Sequence, residues 1–247
     1  MYYCCGITDK GIMPHNEDAF LIGTKVTNKG VSEQKIEPPF ITAVSDGVSG
    51  EKSGEFASLM CLEYVRDMKT TDDINSSLME VHNTIAEYST NNPAVHNMQA
   101  TLCGLFFEKN GCITAFNSGD SRLYRFRGGR INQISRDQSL VQLMYEEGSI
   151  TPEQRKTHAR RNIIFPVFGN VDTVPQIDLI NIEDGMQYGD ILLLCTDGLS
   201  DYVSPLEMEE ILEMPISLNK RLSLMIRKAL ENKSSDNITI IAILYFD

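Results

Sequence analysis

Positive charge is scarce in this sequence. The 247 residues include 22 Lys and Arg against 34 Asp and Glu, which gives a formal net charge of −12. An acidic chain is repelled by nucleic-acid backbones and by anionic lipid surfaces, so we expect neither nucleic acid nor a membrane as a partner. A phosphorylated substrate would have to be attracted by local charges, because the protein as a whole repels it.

Cysteine pairs and long apolar runs are missing as well. None of the six cysteines forms a CxxC motif, and most lie inside apolar runs, where a thiol behaves as a small hydrophobic group. We therefore expect free thiols in a reducing cytoplasm. The first residues have no basic segment and no long apolar segment, so no signal peptide is predicted. No run approaches transmembrane length.

The order of predicted elements favours an α+β fold. Apolar spacing predicts helices near residues 53–68 and 73–90, and residues 100–134 hold four short strands joined by glycine-containing turns. Residues 25–38 are polar and are predicted to form an exposed connection. Because most strands join as hairpins, we expect antiparallel sheets rather than alternating βαβ units. The length fits one domain over residues 1–247.

The most informative stretch is residues 39–66, in which an apolar strand ends abruptly in Asp46-Gly47 before a glycine-rich turn and an amphipathic helix. The same pattern returns where a second apolar strand ends in Asp197-Gly198. Asp-Gly alone is a common turn dipeptide, because Gly accepts positive φ and the Asp side chain caps the turn. One such dipeptide therefore predicts little, and the argument for a site depends on the other acidic residues.

Further acidic residues also occupy strand ends. Asp120 follows a strand, Asp236 opens the last strand, and Glu17-Asp18 opens an early one. Crowded carboxylates repel one another, and a divalent cation removes that repulsion. Together with Asp46 they indicate one cluster of oxygen ligands, which suits Mg²⁺ or Mn²⁺ better than Zn²⁺.

Six motifs resemble those of the metal-dependent Ser/Thr protein phosphatases of type 2C, in their compact bacterial form. They occur in the family's order and cover essentially the whole chain: TDKGIMPHNEDAF (8–20), AVSDGVSGEKSGEFAS (43–58), NSGDSRLYRF (117–126), RDQSLVQLMYEEGSITPEQRKTHARRN (136–162), DILLLCTDGLSDYVS (190–204) and SSDNITIIAI (234–243). The resemblance implies a four-layer α-β-β-α sandwich of two antiparallel sheets flanked by helices. It also implies a metal centre at one end of the sandwich and a mobile flap subdomain at about 139–169.

The resemblance assigns roles to the first acidic residues in the chain. Asp46 would bridge two ions, Mn²⁺ or Mg²⁺. Glu17 and the backbone carbonyl of Gly47 would bind the second ion, and Asp18 would support the site either as a ligand or from behind the ligands.

Later residues complete the implied site. Asp197 and Asp236 would be ligands of the first ion, and Asn237 would orient Asp236. Asp120 would help to hold a third, looser ion.

The resemblance implies hydrolysis of phosphoserine and phosphothreonine in proteins phosphorylated by a Ser/Thr kinase. Two ions would lower the pKa of a shared water, and the resulting hydroxide would attack phosphorus in line, without a covalent phosphoenzyme. His158 matches a family position proposed to assist proton transfer to the departing oxygen; alternatively, it packs or caps the flap. We expect a monomer.

One family residue is missing. Family members usually carry an Arg that grips phosphate before the Asn-Glu-Asp, whereas this chain has Met13-Pro14 there, in an interval one residue short. Lys10, His15 and Arg122 are candidates to replace it. The alternative function is a phosphatase-like binding or regulatory domain with weak or no activity. A hydrolase that forms an aspartyl-phosphate is disfavoured, because SDGVS lacks the required Asp-x-Asp.

Overall fold

The computed structural model describes residues 1–48, 52–68, 73–95 and 97–246. The strands in these ranges are β1 (Tyr2–Asp9), β2 (Asp18–Ile22), β3 (Lys25–Thr27), β4 (Gly30–Ile36), β5 (Phe40–Asp46), β6 (Leu102–Phe107), β7 (Ile113–Ser118), β8 (Arg122–Arg127), β9 (Arg130–Gln133), β10 (Asp178–Asn181), β11 (Ile191–Cys195) and β12 (Ile238–Tyr245). The helices are α1 (Lys52–Arg66), α2 (Ile74–Asn91), α3 (Leu140–Glu146), α4 (Pro152–Thr157), α5 (Asp197–Ser200), α6 (Pro205–Glu213) and α7 (Leu218–Glu231), with a 3-10 turn at Pro93–Val95.

The strands form two six-stranded antiparallel sheets. The first sheet has the order β4-β1-β12-β11-β8-β9, and the second has the order β10-β7-β6-β5-β2-β3. Both combine neighbours in sequence with strands from distant parts of the chain. The chain therefore crosses between the two sheets. As a result, Asp46 lies at the end of a strand of the second sheet, and Asp197, which is far away in sequence, follows a strand of the first.

Three apolar clusters hold four layers together. One cluster lies between the two sheets and includes Phe20, Phe107 and Leu194. A second packs α1 and α2 on the outer face of the second sheet, and a third packs α5, α6 and α7 on the outer face of the first. The structure therefore confirms the predicted α+β fold with an α-β-β-α sandwich of antiparallel sheets. None of the described helices is long and apolar enough to cross a membrane.

The prediction of an exposed connection over residues 25–38 was wrong. This segment forms β3 and β4, and β4 pairs along its length with β1 at the edge of the first sheet. Its side chains are mostly exposed or half-buried, and only Ser32 is buried, as expected for an edge strand with one solvated face. Its polarity therefore reflects that edge position, and backbone pairing rather than apolar burial makes it a strand.

The flap segment over 139–169 contains two short helices, α3 and α4, which pack on each other. Thr151 caps α4 in a capping box with Gln154, and Pro152 occupies the first turn, which explains why this helix starts there. The segment returns to the body through Phe168, which exchanges backbone hydrogen bonds with Ala100.

Candidate functional site

Asp46 and Asp18 meet on neighbouring strands of the second sheet. They are directly opposite each other in the antiparallel register of β5 and β2, so their side chains leave the same face of the sheet. Asp18 is 1% exposed and Asp46 is half-buried. Two carboxylates predicted from separate motifs are thus neighbours in space.

Glu17 lies beside these two acids, where Gly47 and Gly54 pack closely against it. The backbone N–H of Gly47 donates to the carbonyl of Glu17 at 3.2 Å. A Cβ added to Gly54, in the first turn of α1, would lie 2.3 Å from a carboxylate oxygen of Glu17, and one added to Gly47 would lie 2.1 Å from the Gly54 carbonyl. Only glycine allows this approach, so both glycines place the start of α1 against the Glu17 carboxylate.

Asp197 and Asp236 come together on the first sheet. Asp197 begins α5 directly after β11, and Asp236 precedes β12. A Cβ added to Gly198 would lie 1.8 Å from the carbonyl oxygen of Asn237 and 3.4 Å from the Cβ of Asp236. The missing side chain at Gly198 therefore lets α5 lie against the start of β12, which brings the two acids side by side.

Asn237 holds the loop that precedes β2. Its side-chain NH₂ donates to the carbonyl oxygens of Lys10 and His15, both at 2.9 Å, and its side-chain oxygen accepts the N–H of Glu17 at 2.8 Å. Its contact with Asp236 runs through its own backbone N–H, at 2.8 Å. The side chain therefore orients the loop and Glu17, while only the backbone of Asn237 orients Asp236.

Burial and mutual repulsion both act on these carboxylates. Desolvation raises the pKa of Asp18 to about 7, although the hydroxyls of Thr196 and Thr239 act in the opposite direction. The pKa of Asp46 is raised well above its ordinary value by burial and then by the charge of Asp18. Burial also raises the pKa of Asp197. Each shift shows that the charged form is disfavoured unless a cation is nearby.

The surroundings of these acids contain an orphaned oxygen. Oδ1 of Asp197 is buried and has no hydrogen-bond partner among the described residues. Within the same part of the chain, Asp18, Asp46 and Asp197 form no ion pair with Lys, Arg or His. A buried carboxylate oxygen without a partner is expensive, and a hard cation is the partner that an all-oxygen set prefers. The residues therefore fit a divalent ion.

The side chains do not yet surround a common point. No three His, Cys, Asp or Glu side chains in the described ranges lie close enough to share one ion. Closing the set around one ion requires side-chain rotation. The backbone positions supply the neighbours for this, because Asp18 lies opposite Asp46 and Asp197 lies beside Asp236.

Asp120 is an electrostatic neighbour of Asp46 and Asp197 on one side and of Arg122 on the other. It follows β7 and is half-buried, and burial together with the charges of Asp137 and Asp201 raises its pKa to about 7, against the lowering effect of Arg122. A cavity of about 290 Å³ opens beside it and extends below the flap to Arg155.

Arg122 is already engaged, so it does not offer a free guanidinium for phosphate. It forms a fork with Asp137, with Nε to Oδ1 at 2.9 Å and Nη2 to Oδ2 at 2.6 Å, and it lies 3.5 Å from Asp201. Nη1 also donates to the carbonyl of Ser200 at 3.2 Å. Lys10 and His15 are exposed on the loop that Asn237 holds, and they are the remaining candidates.

His158 lies on the flap at the end of α4. Its Nδ1 accepts the backbone N–H of Arg160 at 3.1 Å, and its carbonyl accepts the N–H of Arg161 at the same distance. These contacts are those of a residue that caps a turn within the flap.

Two functional contacts were missed from the sequence. Thr196 donates its hydroxyl to Asp18 at 2.7 Å, and Arg122 forks onto Asp137. Thr196 and Asp18 lie 178 positions apart in sequence, and Arg122 and Asp137 lie 15 apart. The only sequence signal was the position of Thr196 directly before the Asp197-Gly198 turn.

Curated proteins match this chain over nearly its whole length. No protein-family model matches it. The chain is 32% identical over 248 residues to the serine/threonine phosphatase stp of Listeria welshimeri, which covers 96% of this chain and 93% of that protein. It is 28% identical over 242 residues to the serine/threonine protein phosphatase PstP of Mycobacterium tuberculosis, which covers 95% of this chain and 43% of that protein.

Solved structures agree with the fold. The crystal structure of the Mycobacterium tuberculosis serine/threonine phosphatase PstP/Ppp has a TM-score of 0.81 at 27% identity, with both chains covered in full. A PstP catalytic domain solved in complex with two manganese ions has a TM-score of 0.80 at 25% identity, again with both chains covered in full.

Proposed function

This chain belongs to the bacterial type 2C family of Ser/Thr protein phosphatases, and we propose that it hydrolyses phosphoserine and phosphothreonine in proteins by a metal-activated water, without a covalent phosphoenzyme. Membership of the family confirms the resemblance of the six motifs and makes the chain an enzyme of this class. The observation that supports the mechanism is the group of carboxylates with raised pKa values at one end of the sandwich, one of which has a buried oxygen without a partner.

The proposed ligands come from both sheets. Asp46 would lie between two Mn²⁺ or Mg²⁺ ions, and Glu17 and the Gly47 carbonyl would hold the second ion. Asp197 and Asp236 would hold the first. Two manganese ions in the PstP catalytic domain support the number and the type of ion.

When bound, such ions supply a hydroxide near neutral pH and stabilise charge on the phosphate oxygens. The chain itself contributes the geometry: the pairing of β2 with β5 fixes the spacing of Asp18 and Asp46, and the packing of Gly198 fixes that of Asp197 and Asp236. Asp120 would hold a third ion at the mouth of the cavity below the flap. His158 stays a proposed proton donor, and the alternative role is the cap of a turn within the flap, where its Nδ1 accepts the N–H of Arg160.

A binding or regulatory domain is the second candidate function. The observation that favours it is the loop at Met13-Pro14, which is exposed and has no Arg to grip phosphate. Lys10 is the nearest cationic residue in that loop. We expect activity to be retained, because the sequence keeps Glu17, Asp46, Asp197 and Asp236, which a purely binding domain would not need.

The deciding experiment is hydrolysis of a phosphothreonine peptide by the purified protein, measured as released phosphate in Mn²⁺ and in EDTA. We expect turnover in Mn²⁺ and none in EDTA. Asp46→Asn should abolish turnover, whereas Asp184→Asn, an acid at the opposite end of the sandwich, should change it less than about twofold, because exposed ion pairs contribute little.

Folding of each variant is checked by circular dichroism. Folded wild-type protein without turnover at any Mn²⁺ concentration would exclude the enzyme and leave the binding domain. Turnover that resists EDTA would exclude the metal mechanism. Phosphoprotein substrates, a monomeric state and a cytoplasmic location are part of the proposal and need separate measurements of substrate, mass and fractionation.

A further inference from the structure

Thr196 connects the two sheets at the acidic end of the sandwich. It is fully buried between β11 and α5, and its hydroxyl donates to Oδ2 of Asp18 at 2.7 Å. Asp18 belongs to the second sheet, whereas Thr196 follows a strand of the first sheet. One side-chain hydrogen bond therefore ties a carboxylate of one sheet to the residue that precedes Asp197 on the other.

The hydroxyl of Thr196 is itself fixed. Its oxygen accepts the backbone N–H of Thr239 at 3.1 Å, and the Thr196 N–H donates to the carbonyl of Thr239 at the same distance. One lone pair of the hydroxyl accepts from Thr239, and the hydroxyl proton points at the accepting carboxylate oxygen of Asp18. The donor is thus oriented in advance and loses little freedom when it binds the carboxylate.

The hydroxyl of Thr239 also acts on Asp18, whose pKa it lowers, and it extends the network away from the acids. The hydroxyl of Thr239 lies 2.7 Å from that of Thr8, which also accepts the side-chain NH₂ of Asn16 at 2.8 Å. Asn16 in turn donates to the carbonyl of Asn28 at 2.8 Å. These buried and half-buried polar groups are mutually satisfied, so the position of Thr196 is supported from behind.

We propose that Thr196 is a positioning residue for the metal centre: through its hydrogen bond to Asp18 it sets the distance between the carboxylates of the two sheets. This inference rests on the proposed function. The physical reason is that Asp18, Asp46 and Asp197 repel one another, and a buried carboxylate without a fixed donor would turn away from its neighbours. Groups that orient metal ligands in this way typically contribute 10- to 100-fold to metal affinity or activity.

The test compares three threonine variants. Thr196→Val keeps the shape of the side chain and removes the hydroxyl, whereas Thr196→Ser keeps the hydroxyl and removes a methyl group. Thr42→Val is the matched control, because the Thr42 hydroxyl is also fully buried and has no hydrogen-bond partner among the described residues. Any general effect of a buried Thr→Val change appears in the control too.

Mn²⁺ binding is measured by isothermal titration calorimetry, and hydrolysis of a phosphothreonine peptide is measured alongside. We expect Thr196→Val to weaken Mn²⁺ binding roughly 10-fold or more. Thr196→Ser should stay within about threefold of the wild type, because the donor is retained, and Thr42→Val should match the wild type. Rescue by Ser but not by Val would not follow from a purely structural role of the side-chain volume.

A double-mutant cycle tests whether Thr196 acts through Asp18. In an Asp18→Ala background, Thr196→Val should have no further effect on Mn²⁺ affinity, because the accepting side chain is already gone. If Thr196→Val weakens binding equally in both backgrounds, or if it binds Mn²⁺ like the wild type, the inference is wrong. Should Thr196→Val fail to fold, Thr196→Ala replaces it in the same cycle and is judged by the same outcomes.

These results are separable from failure of the proposed function. Wild-type protein that neither binds Mn²⁺ nor hydrolyses the peptide contradicts the phosphatase mechanism itself. Wild-type protein that does both, beside a Thr196→Val variant with unchanged affinity, contradicts only the positioning role.

Discussion

The two ends of strand β11 carry acids in opposite surroundings. At the start, the side chain of Asp190 is 3% exposed and forms an ion pair with Arg127. Nε of Arg127 donates to Oδ1 of Asp190 at 2.9 Å, and Nη2 donates to Oδ2 at 2.6 Å. Asp184 nearby binds Arg125 at 2.6 Å. At the other end, Asp197 has a buried oxygen without a partner in the described part of the chain.

The same residue type is therefore used in two ways. Arginines hold the pKa of Asp184 below its ordinary value, whereas burial and neighbouring acids raise the pKa of Asp197. The first end is neutralised by the chain itself, and the charges there stabilise the fold. The second end is left short of positive charge, which is what a site for an external cation requires.

The largest difference between the two ends should appear in activity. Asp197→Asn should lower the kcat/KM for a phosphothreonine peptide in Mn²⁺ by roughly 10³-fold, since losing an ion removes about 4 kcal/mol of transition-state stabilisation. Asp184→Asn should leave kcat/KM nearly unchanged. Equal effects of the two substitutions would contradict the division of roles.

Mn²⁺ should change the free energy of unfolding differently in variants of the two ends. Mn²⁺ at 100 times its Kd should increase the free energy of unfolding by about 2.7 kcal/mol for each ion bound, because the ions bind only the folded chain. The contribution of the ion at Asp197 should vanish in Asp197→Asn, whereas the whole increase should persist in Asp184→Asn. Urea unfolding in Mn²⁺ and in EDTA measures it, and stabilisation of Asp197→Asn equal to that of the wild type would count against a site there.

The arginine-paired end should respond to substitution through the fold alone. Arg127→Ala leaves Asp190 buried without its partner, which should lower the free energy of unfolding by about 2 kcal/mol, less than for a fully buried pair because Arg127 is partly exposed. Mn²⁺-dependent turnover should remain. Urea unfolding and peptide hydrolysis report the two properties, and loss of turnover in a folded variant would show that this end also takes part in function.

The smallest expected effect on activity is that of a substitution in the flap, whose residues line a cavity with Asp120. In the structure His158 caps a turn by accepting the N–H of Arg160. If capping is its role, His158→Ala should lower kcat less than about threefold and leave the pH profile of kcat unchanged, as expected for a loss of roughly 0.5 kcal/mol. A large fall in kcat with a lost limb of the pH profile would instead assign His158 to proton transfer.

Much of the fold could be predicted from local patterns. The four strands between residues 102 and 133 have apolar periodicity and turn residues that are visible in the sequence, and helix α6 begins at a capping box of Ser204 and Glu207 that the sequence spacing also displays. Strand β4 could not be predicted, because its polar side chains give no apolar signal and its pairing with β1 depends on residues about 30 positions away.

The site was predictable only as a set of residue types. The motifs identify Asp46 and Asp197 as candidate ligands. The hydrogen bonds around these acids, however, join separate segments of the chain. The Thr196–Asp18 hydrogen bond spans 178 positions, and the engagement of Arg122 by Asp137 depends on the path of the chain into the flap. Such contacts follow from strand register and sheet packing, neither of which a local pattern encodes.

Anomalous diffraction from a crystal grown in Mn²⁺ tests the central claim most directly, because it locates ions without reference to activity. We predict two peaks at the acidic end, with Asp46 contacting both, one near the Gly47 carbonyl and the other between Asp197 and Asp236. Peaks only at other acids of the chain, such as Asp184, or no peaks in Mn²⁺ at saturating concentration, would contradict a metal centre at this end of the sandwich.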